Sequence, residues 1–321
     1  MMNESSANLY NQPEVQTILG AGGVIGNELM RELSTRVDRV RLVCRRPSPP
    51  GPRIEARAVD LLDARQVAEA VEGSTVAYLV AGLPYLAAAW EAQWPVVLDN
   101  AIEACKRHGV RLVFLDNLYL YGSIDGAITE NTPLNPCSRK GEVRAKLAEK
   151  LESEMATGEL EAVIARGADF FGPGAVNGYL HPLVFEMLSD GKKAGWLGRD
   201  DVAHSFLFTP DAGRALAELG NTPEAFGQTW LLPCDPNPPT GREFIRVAAE
   251  AFGVRRPSHR CLGRTLLRIA GILHPQSRET IEMLYQHTEP YVVDSGKFDR
   301  KFFAATPWPE GVRATARGIA G

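Results

Sequence analysis

A glycine-rich stretch, ILGAGGVIGNEL, constrains this chain more than any other part of its sequence. It follows an apolar run and places Gly20, Gly23 and Gly26 three residues apart, ahead of a helical pattern. One glycine permits a tight turn, another lets the backbone approach a pyrophosphate, and the third lets the helix pack closely on the strand. The helix start, with Val24 and Ile25, then offers free N–H groups to the phosphates. The stretch predicts a dinucleotide site, although a tight turn without a ligand also uses glycines.

Strands and helices alternate through the first half of the chain. Apolar runs such as STVAYLVAG and VRLVFLDN are separated by helical stretches such as DARQVAEAVEG and WPVVLDNAIEACKRHG. This order predicts an α/β fold of the Rossmann type, a doubly wound parallel sheet with helices on both faces. Beyond about residue 175 the pattern becomes irregular and rich in proline. We expect residues 14–174 to form a dinucleotide-binding core, and residues 175–321 to form mostly a smaller C-terminal substrate-binding cap, with some segments returning to the core.

The composition is that of an ordinary globular protein. Of the 321 residues, 45% are hydrophobic and 23% are charged, and the formal net charge is -4. We therefore expect neither nucleic acid nor a membrane as a partner, since no apolar run has the length of a membrane span. The N-terminus lacks a signal pattern and the five cysteines are scattered, which predicts a cytoplasmic protein. The histidines are also scattered, so we expect no metal site, and we interpret His204 as a hydrogen-bonded structural group rather than a base.

The end of the second predicted strand discriminates between the two dinucleotides. Enzymes that use NAD commonly have an acidic residue there, which binds the ribose 2′-hydroxyl. This chain reads LVCRRP, so that Cys44 lies near that place and Arg45 and Arg46 follow. Two guanidinium groups suit a 2′-phosphate, because they form charge-assisted and often bidentate hydrogen bonds. We predict NADP(H) rather than NAD(H); the alternative is a solvated arginine pair at a strand end.

Further cofactor contacts are expected where the third and fourth strands end. Ligands of parallel sheets bind beyond the carboxyl ends of the strands. Asp60, with Leu61, follows the third strand and is a candidate for the adenine edge, although Asp60 is equally suited to cap the next helix. Val80, Ala81 and Gly82 follow the fourth strand and complete the predicted cofactor site.

The chain resembles the extended short-chain dehydrogenase/reductase family, which includes NAD-dependent nucleotide-sugar epimerases and dehydratases. The resemblance covers nearly the whole chain after residue 14 and rests on GAGGVIG, AVDLLD, VAYLVAG, DNAIEACKRHGVRLVFLDN, YLYG, ENTPLNP, ARGADFFGPG, FTPDAGRAL and PYVVDSGKF. It implies an active set of serine or threonine, tyrosine and lysine. In that set the lysine lowers the tyrosine pKa, and the tyrosine exchanges a proton with the substrate oxygen while hydride moves. The resemblance also implies a homodimer.

The sequence departs from this pattern where the tyrosine and lysine are expected. Asn117 takes the serine position, and the helix that begins near CSRKGEVR contains no tyrosine. The most natural register puts Lys140 at the tyrosine position and Arg144 at the lysine position. Other registers pair Pro136 with Lys140, or Glu142 with Lys146. We interpret the chain as an atypical branch of the family.

Two kinds of residue are candidates to replace the tyrosine. Lys140 and Arg144 share one helix face, so they stabilise a developing oxyanion, and Lys140 contacts the cofactor, if that face borders the cleft. The alternative is a solvated basic helix start. Tyr119 is the expected substitute proton donor, and Tyr121, which faces the same side, is expected at the substrate or in a structural role. Asn117 either hydrogen-bonds a carbonyl group or serves a turn.

Aromatic residues beyond the strand ends are expected to form the wall of the substrate site. The stretch AGLPYLAAAWEAQW follows the fourth strand and supplies Tyr85, Trp90 and Trp94. Phe170 and Phe171 follow the sixth strand. Core packing explains tryptophans at helical spacing equally well, so both interpretations remain open for Trp90 and Trp94.

These features favour an NADP(H)-dependent reductase or dehydrogenase that acts on a carbonyl group or an activated double bond of a small organic substrate. A second hypothesis is a nucleotide-sugar epimerase or dehydratase, but those reactions depend most on the missing tyrosine. A third is a binding protein that senses the redox state of NADP(H) without catalysis. Redox turnover separates the enzymes from the sensor.

Overall fold

A computed structural model describes residues 14–272 and 275–320 of the chain. No helix within these residues has both the length and the apolar character needed to cross a membrane. The strands are β1 (Val15–Leu19), β2 (Arg39–Cys44), β3 (Ile54–Ala58), β4 (Val76–Leu79), β5 (Arg111–Asn117), β6 (Ala127–Ile128), β7 (Ala162–Gly167), β8 (Asp169–Phe171), β9 (Ala194–Leu197), β10 (Phe206–Phe208), β11 (Gln228–Leu231), β12 (His259–Leu262) and β13 (Val292–Val293).

Seven of these strands form a central parallel sheet in the order β11-β7-β5-β4-β1-β2-β3. Strands β1, β4 and β7 are buried along their whole length, as is usual for a parallel sheet with both faces covered by helices. The Rossmann-type doubly wound sheet that the sequence predicts is therefore confirmed. Strand order reverses between β1 and β4, so a crevice opens beyond the carboxyl ends of these two strands, where ligands of such sheets bind.

Eleven α-helices and four 3-10 or π-helical turns complete the described part of the chain. The helices are α1 (Val24–Leu33), α2 (Ala64–Val71), α3 (Ala87–His108), α4 (Arg139–Ala156), α5 (Glu186–Ser189), α6 (Thr209–Gly220), α7 (Gly241–Ala251), α8 (Arg264–Ala270), α9 (Pro275–Glu279), α10 (Gly296–Lys301) and α11 (Trp308–Ala320). The turns are 3-10 helices at Tyr119–Tyr121, Pro223–Ala225 and Thr280–His287, and a π-helical turn at His181–Phe185.

The helices divide between the two faces of the sheet. Helices α1 and α6 pack together on one face, and their apolar residues join the core there. Helices α2 and α3 cover the other face together with Val143, Leu147 and Leu151 of α4. These three residues of α4 are four apart, which is the spacing of one helical stripe. This packing fixes the start of α4 beside the carboxyl end of β5.

The second half of the chain forms smaller units around this core. Strands β8 and β10, β9 and β12, and β6 and β13 make three short parallel pairs. A separate aromatic cluster includes Phe171, Trp196, Phe206 and Phe244. Strand β11 returns to the edge of the central sheet beside β7. The sixth predicted strand is interrupted, because β7 ends at Gly167 and β8 pairs outside the central sheet. The division at residue 174 stays a prediction.

Gly20 and Gly23 of the turn meet different constraints. Gly20 has a φ of +91°, and a Cβ placed there would lie 2.4 Å from the Ala81 Cα on the segment after β4. Gly23 has a φ of -91°, which any residue adopts, and a Cβ there would meet no described heavy atom within 4 Å. The fold thus requires glycine at position 20, whereas the described residues leave open space beside the backbone at position 23.

We predict opposite effects of alanine at these two positions. Gly20→Ala should lower the free energy of unfolding by about 2–5 kcal/mol, because it adds backbone strain and a clash with Ala81. Gly23→Ala should change it by no more than about 1 kcal/mol, since its backbone tolerates a side chain. Urea unfolding followed by circular dichroism measures both. Equal losses in the two variants would contradict this distinction.

Candidate active site

The glycine turn opens the crevice at the carboxyl end of β1. Gly23 is the N-cap of α1, and no described side chain caps this helix. The first N–H groups of a helix have no intrahelical partner, so they face the crevice as donors. Gly23 is exposed and Val24 is half-buried at the turn, whereas Ile25 and Gly26 are buried beneath it. The exposed donors and the open space at Gly23 fit a pyrophosphate group.

The end of β2 forms the neighbouring part of the crevice. Cys44, Arg45 and Arg46 line a cavity of about 520 Å³. Both arginines are exposed, and neither forms a salt bridge with any residue of the described chain. Two guanidinium groups that form no salt bridge with the described residues, beside a dinucleotide turn, fit an additional phosphate.

The ends of β3 and β4 place the remaining predicted cofactor residues. Asp60 is exposed, and its carboxylate accepts a hydrogen bond from the Leu62 N–H at 3.1 Å. The N-cap of α2 is Asp63, so Asp60 does not cap that helix. Leu61 is half-buried, and its carbonyl accepts a hydrogen bond from the Asn100 side chain at 2.9 Å. Beyond β4, Val80 and Ala81 are half-buried and Gly82 is exposed at the crevice rim.

An aromatic group joins α3 to the end of β5. The Trp90 ring stacks on the Tyr119 ring with centroids 5.9 Å apart and meets the Tyr85 ring edge-on at 5.9 Å. The Tyr85 and Tyr119 hydroxyls are 3.5 Å apart. Trp94 is 1% exposed and Trp90 is 5% exposed, so both tryptophans belong to the core. Tyr85 and Tyr119 are half-buried, and they present the polar edge of this group.

Lys140 is completely buried in an ion-pair cluster. Its Nζ donates to the Glu279 carboxylate at 2.6 Å, to the Glu282 carboxylate at 2.5 Å and to the Glu279 carbonyl at 3.3 Å. It also lies 4.5 Å from the centre of the Tyr85 ring. Three acceptors occupy the three N–H groups of the ammonium, so the alternative of a solvated helix start does not describe Lys140.

The same cluster attaches the α9 region to the start of α3. The Glu279 carboxylate accepts a hydrogen bond from the Ala87 N–H, the first residue of α3, at 2.8 Å. Burial opposes ionisation of Glu279, but the bonds from Lys140 and Ala87 outweigh it and lower the pKa of this carboxyl. Arg139 binds Glu91 of α3 through two hydrogen bonds, and its backbone N–H donates to Glu282. These contacts hold the 275–287 segment against the start of α4.

Arg144 lies on the same face of α4 and is also buried. Its guanidinium donates to the Asp116 carboxylate at 3.2 Å and lies 4.0 Å from the centre of the Trp94 ring and 4.7 Å from that of Trp90. Asp116 also lies 3.6 Å from the Arg166 guanidinium. Arg144 therefore supports the tryptophans from behind, within the core.

The predicted tyrosines at the end of β5 have different surroundings. The Tyr121 hydroxyl is buried and accepts a hydrogen bond from Arg166 at 2.8 Å. The Tyr119 N–H donates to the Asn117 side-chain oxygen at 3.1 Å, so Asn117 shapes this turn. Burial, and then the charge of Asp169, raise the pKa of the Tyr119 phenol, which keeps it protonated in the neutral range. Tyr119 is suited to donate a hydrogen bond.

Asp169, His204 and His287 form a polar cluster that the sequence analysis did not find. The His204 Nε2 lies at hydrogen-bond distance, 3.0 Å, from the Asp169 carboxylate, and its Nδ1 lies 3.0 Å from the Gln286 carbonyl oxygen. Burial of Asp169 opposes its ionisation, but the bond from His204 lowers the pKa of this carboxyl. A fixed negative charge is thus held near Tyr119.

The ligand atoms of this cluster lie within 4.8 Å of one another, a separation that suits a metal ion. However, the His204 and His287 rings stack with an interplanar angle of 19° and centroids 4.6 Å apart. Nitrogen lone pairs lie in the ring plane, so two stacked rings do not both direct a lone pair at one ion. The stacked rings therefore fit a hydrogen-bonded polar cluster better than a metal site.

Phe170 and Phe171 lie apart from this group. Phe171 is 2% exposed and belongs to the aromatic cluster of the second half, where its ring lies 5.6 Å from Phe244. Phe170 is half-buried and packs against the core. The structure thus brings Tyr85, Trp90, Tyr119, Lys140 and Arg144 together, and it places the two phenylalanines elsewhere. Their predicted roles at a substrate stay predictions.

The fold and the glycine-lined crevice define a Rossmann-type protein with the architecture of the extended short-chain dehydrogenases/reductases. The chain belongs to the NAD dependent epimerase/dehydratase family, whose model matches residues 17–230. No curated protein matches the sequence.

Solved structures of similar fold extend over almost the entire chain. A double mutant of the dTDP-glucose 4,6-dehydratase DesIV from Streptomyces venezuelae, with NAD bound, has a TM-score of 0.77 and 20% identity over 95% of this chain and 96% of that chain. MoeE5, in complex with UDP-glucuronic acid and NAD, has a TM-score of 0.78 and 21% identity over 96% of this chain and 99% of that chain. UDP-N-acetylglucosamine 4-epimerase from Bacillus cereus has a TM-score of 0.76 and 14% identity over 96% of this chain and 97% of that chain. At these identities the likeness establishes the fold.

The buried histidine predicts a pH dependence of stability. Burial, and then the neighbouring His204, lower the pKa of His287 to about 3. An unfolded histidine has a pKa of about 6.5, so between these values the unfolded state binds more protons. The free energy of unfolding should fall as pH decreases below about 6.5, by at most about 1.4 kcal/mol per pH unit from this group. Urea unfolding at several pH values measures it.

The variant His287→Phe keeps a planar ring and removes the titrating group. Its stability should depend less steeply on pH between about 6.5 and 4 than that of the wild type. His108→Gln, at the surface end of α3, is the matched control and should keep the wild-type slope. An unchanged slope in His287→Phe would show that the loss of stability at low pH does not come from His287.

Proposed function

We propose that this chain binds NADP(H) and catalyses the reduction or oxidation of a carbonyl group, or of an activated double bond, in a small organic molecule. The observation that carries the proposal is the pair of arginines, Arg45 and Arg46, which line a cavity beside the glycine turn without ionic partners in the described chain. The LVCRRP strand end carries no acidic residue to bind a ribose 2′-hydroxyl or to repel a 2′-phosphate. The arrangement therefore favours the phosphorylated dinucleotide.

In this proposal the chain divides the binding of the cofactor between two elements. The N–H groups at the start of α1 hold the pyrophosphate, and Gly23 leaves room for it. Arg45 and Arg46 hold the 2′-phosphate. When bound, the nicotinamide ring would supply or accept the hydride. The ends of β4 and β5 then place Gly82 and Asn117 on the crevice side of the sheet.

Tyr119 is the proposed donor to the reacting oxygen. Its phenol stays protonated because burial raises its pKa, so it stabilises an oxygen on which negative charge develops. The Asn117 side-chain oxygen accepts a hydrogen bond from the Tyr119 N–H. The Asn117 amide nitrogen is therefore left to donate to the reacting oxygen of the substrate.

Lys140 and Arg144 act indirectly in this arrangement. Arg144 supports the rings of Trp90 and Trp94, and the Trp90 ring stacks on Tyr119. Lys140 binds Glu279 and Glu282 and so fixes the 275–287 segment. The two cations are positioning residues in this proposal, because their charged groups are occupied by carboxylates of the chain.

A nucleotide-sugar epimerase or dehydratase is the second candidate. It is supported by the similarity of both halves of the chain to proteins such as MoeE5. The structure of MoeE5 holds UDP-glucuronic acid and NAD. We rank it second because α4 contains no tyrosine and its basic residues at positions 140 and 144 are occupied by ion pairs. A sensor of NADP(H) would bind the cofactor and turn over no substrate.

Removing the arginine pair tests the cofactor assignment. In Arg45→Ala/Arg46→Ala we expect NADP⁺ affinity to fall by about tenfold or more for each arginine, since hydrogen bonds between charged groups contribute about 1.5–3 kcal/mol. NAD⁺ affinity should stay within about twofold, because NAD⁺ lacks the 2′-phosphate. Isothermal titration calorimetry measures both. The exposed pair in Arg313→Ala/Arg317→Ala is the charge-matched control, and retained NADP⁺ affinity in the first variant would overturn the assignment.

Removing single hydroxyls tests the proposed donor. Tyr119→Phe should lower kcat by about 10²-fold or more, the usual contribution of a positioned proton donor, with an unchanged cofactor Kd. Tyr121→Phe removes a hydroxyl that binds Arg166, so it should lower stability and leave kcat nearly unchanged. NADPH oxidation across aldehydes, ketones and enones provides the assay. Lys140→Ala should also lower turnover through the displaced 275–287 segment, and unchanged turnover in both Tyr119→Phe and Lys140→Ala would exclude this active site.

A further inference from the structure

One segment of the second half has a charge unlike that of the rest of the chain. Residues 251–272 contain five arginines and no lysine, aspartate or glutamate, whereas the whole chain has a formal net charge of -4. The arginines are Arg255, Arg256, Arg260, Arg264 and Arg268. All five are exposed, and none forms a salt bridge with a residue in 14–272 or 275–320. The segment therefore presents uncompensated positive charge to the solvent.

The same segment exposes large aliphatic side chains. Ile272 is 80% exposed, Ile269 is 60% exposed and Leu266 is 42% exposed. The first two values are the highest among the exposed large hydrophobic residues of the described chain. Single exposed aliphatic residues are common. Three of them within seven residues indicate a surface that binds a partner or a membrane.

The geometry of α8 arranges the two kinds of side chain together. Leu267 is buried and attaches the helix to the protein. Ile269 is two positions further, about 200° around the helix, so it points away from Leu267 into solvent. Arg264 and Arg268 are four residues apart and lie on one flank of this ridge. Strand β12, which carries Arg260, packs against α8 and extends the charge.

We propose that this basic apolar face, formed by Arg260, Arg264, Leu266, Arg268, Ile269 and Ile272, binds the surface of a membrane that contains anionic lipids. Exposed isoleucines beside arginines suit an interfacial position, in which aliphatic groups enter the acyl boundary and arginines contact phosphates. A lipid surface accommodates exposed aliphatic side chains without a matching cavity. The sequence-based expectation of no membrane partner considered membrane-spanning segments alone.

This face adjoins the 275–287 segment, which contacts Lys140 in the candidate active site. Helix α8 packs against α9 and the 3-10 helix Thr280–His287, which carry the two carboxylates that bind Lys140. Binding at the membrane would therefore orient the crevice relative to the lipid. The proposal does not depend on the identity of the cofactor or on turnover.

Co-sedimentation of the full chain with lipid vesicles tests the proposal. We expect binding to vesicles of phosphatidylcholine mixed with phosphatidylglycerol, weakening as salt is added, and little binding to pure phosphatidylcholine. Arg264→Ser/Arg268→Ser should lower the partition coefficient by about fivefold per arginine. Ile269→Ser/Ile272→Ser should also lower the partition coefficient, but the dependence of binding on salt should stay as in the wild type. The exposed residues changed here contribute little to the core, so thermal unfolding should be unaltered in both variants.

Two controls define the outcomes that would overturn the proposal. Arg313→Ser/Arg317→Ser removes the same charge from α11, and Val176→Ser removes an aliphatic group that is 57% exposed elsewhere; both should bind vesicles as the wild type does. No binding to anionic vesicles, equal binding to neutral ones, or equal losses in the controls would each contradict the proposal. A concentration-dependent dimer that Ile269→Ser/Ile272→Ser dissociates, without vesicle binding, would assign the face to a second copy of the chain.

Discussion

The surroundings of the crevice depend on one buried carboxylate, Asp116, which is shared by two buried guanidinium groups. It lies on β5, while Arg144 comes from α4 and Arg166 from β7, so the ion pairs join a helix and two strands. Removing one partner of a buried ion pair is costly, because a charge is left in a medium of low polarity. The ion pair with Asp116 fixes Arg144, and its guanidinium packs against the rings of Trp90 and Trp94 on α3. The Trp90 ring stacks in turn on the ring of Tyr119.

This arrangement explains how an expected catalytic helix face became part of the core. Family resemblance implies a tyrosine and a lysine on α4, whereas this chain has Lys140 and Arg144 at the most natural positions. Both cations are neutralised by carboxylates of the chain, one set from the 275–287 segment and one from β5. Among the described residues, the polar groups near the Tyr119 phenol include the Tyr85 phenol, the Asn117 amide and the Asp169 carboxylate. We infer that the protonated Tyr119 phenol, rather than a phenolate acting as a base, is the form available to the reacting oxygen.

Local signals allowed the fold and the cofactor crevice to be predicted from the sequence. The glycine turn, the apolar strands and the glycine at the end of α3 act within a few residues of one another, and the parallel sheet follows from their alternation. The Lys140 cluster was not predictable in this way, because Glu279 and Glu282 are 139 and 142 residues distant from it. Asp169 of β8, His204 and His287 of the 3-10 helix Thr280–His287 likewise meet from separate parts of the chain, and no spacing in the sequence indicates their contact. The domain division and the roles of Phe170 and Phe171 stay predictions.

The measurement that tests the central claim most directly is a titration of the purified wild-type chain with NADP⁺, NADPH, NAD⁺ and NADH. The account predicts that both phosphorylated dinucleotides bind more tightly than their counterparts, by at least about tenfold, because only they engage the arginine pair. Equal or tighter binding of NAD⁺ and NADH would contradict the account and favour nucleotide-sugar chemistry. If none of the four binds, the crevice at the glycine turn does not serve a dinucleotide.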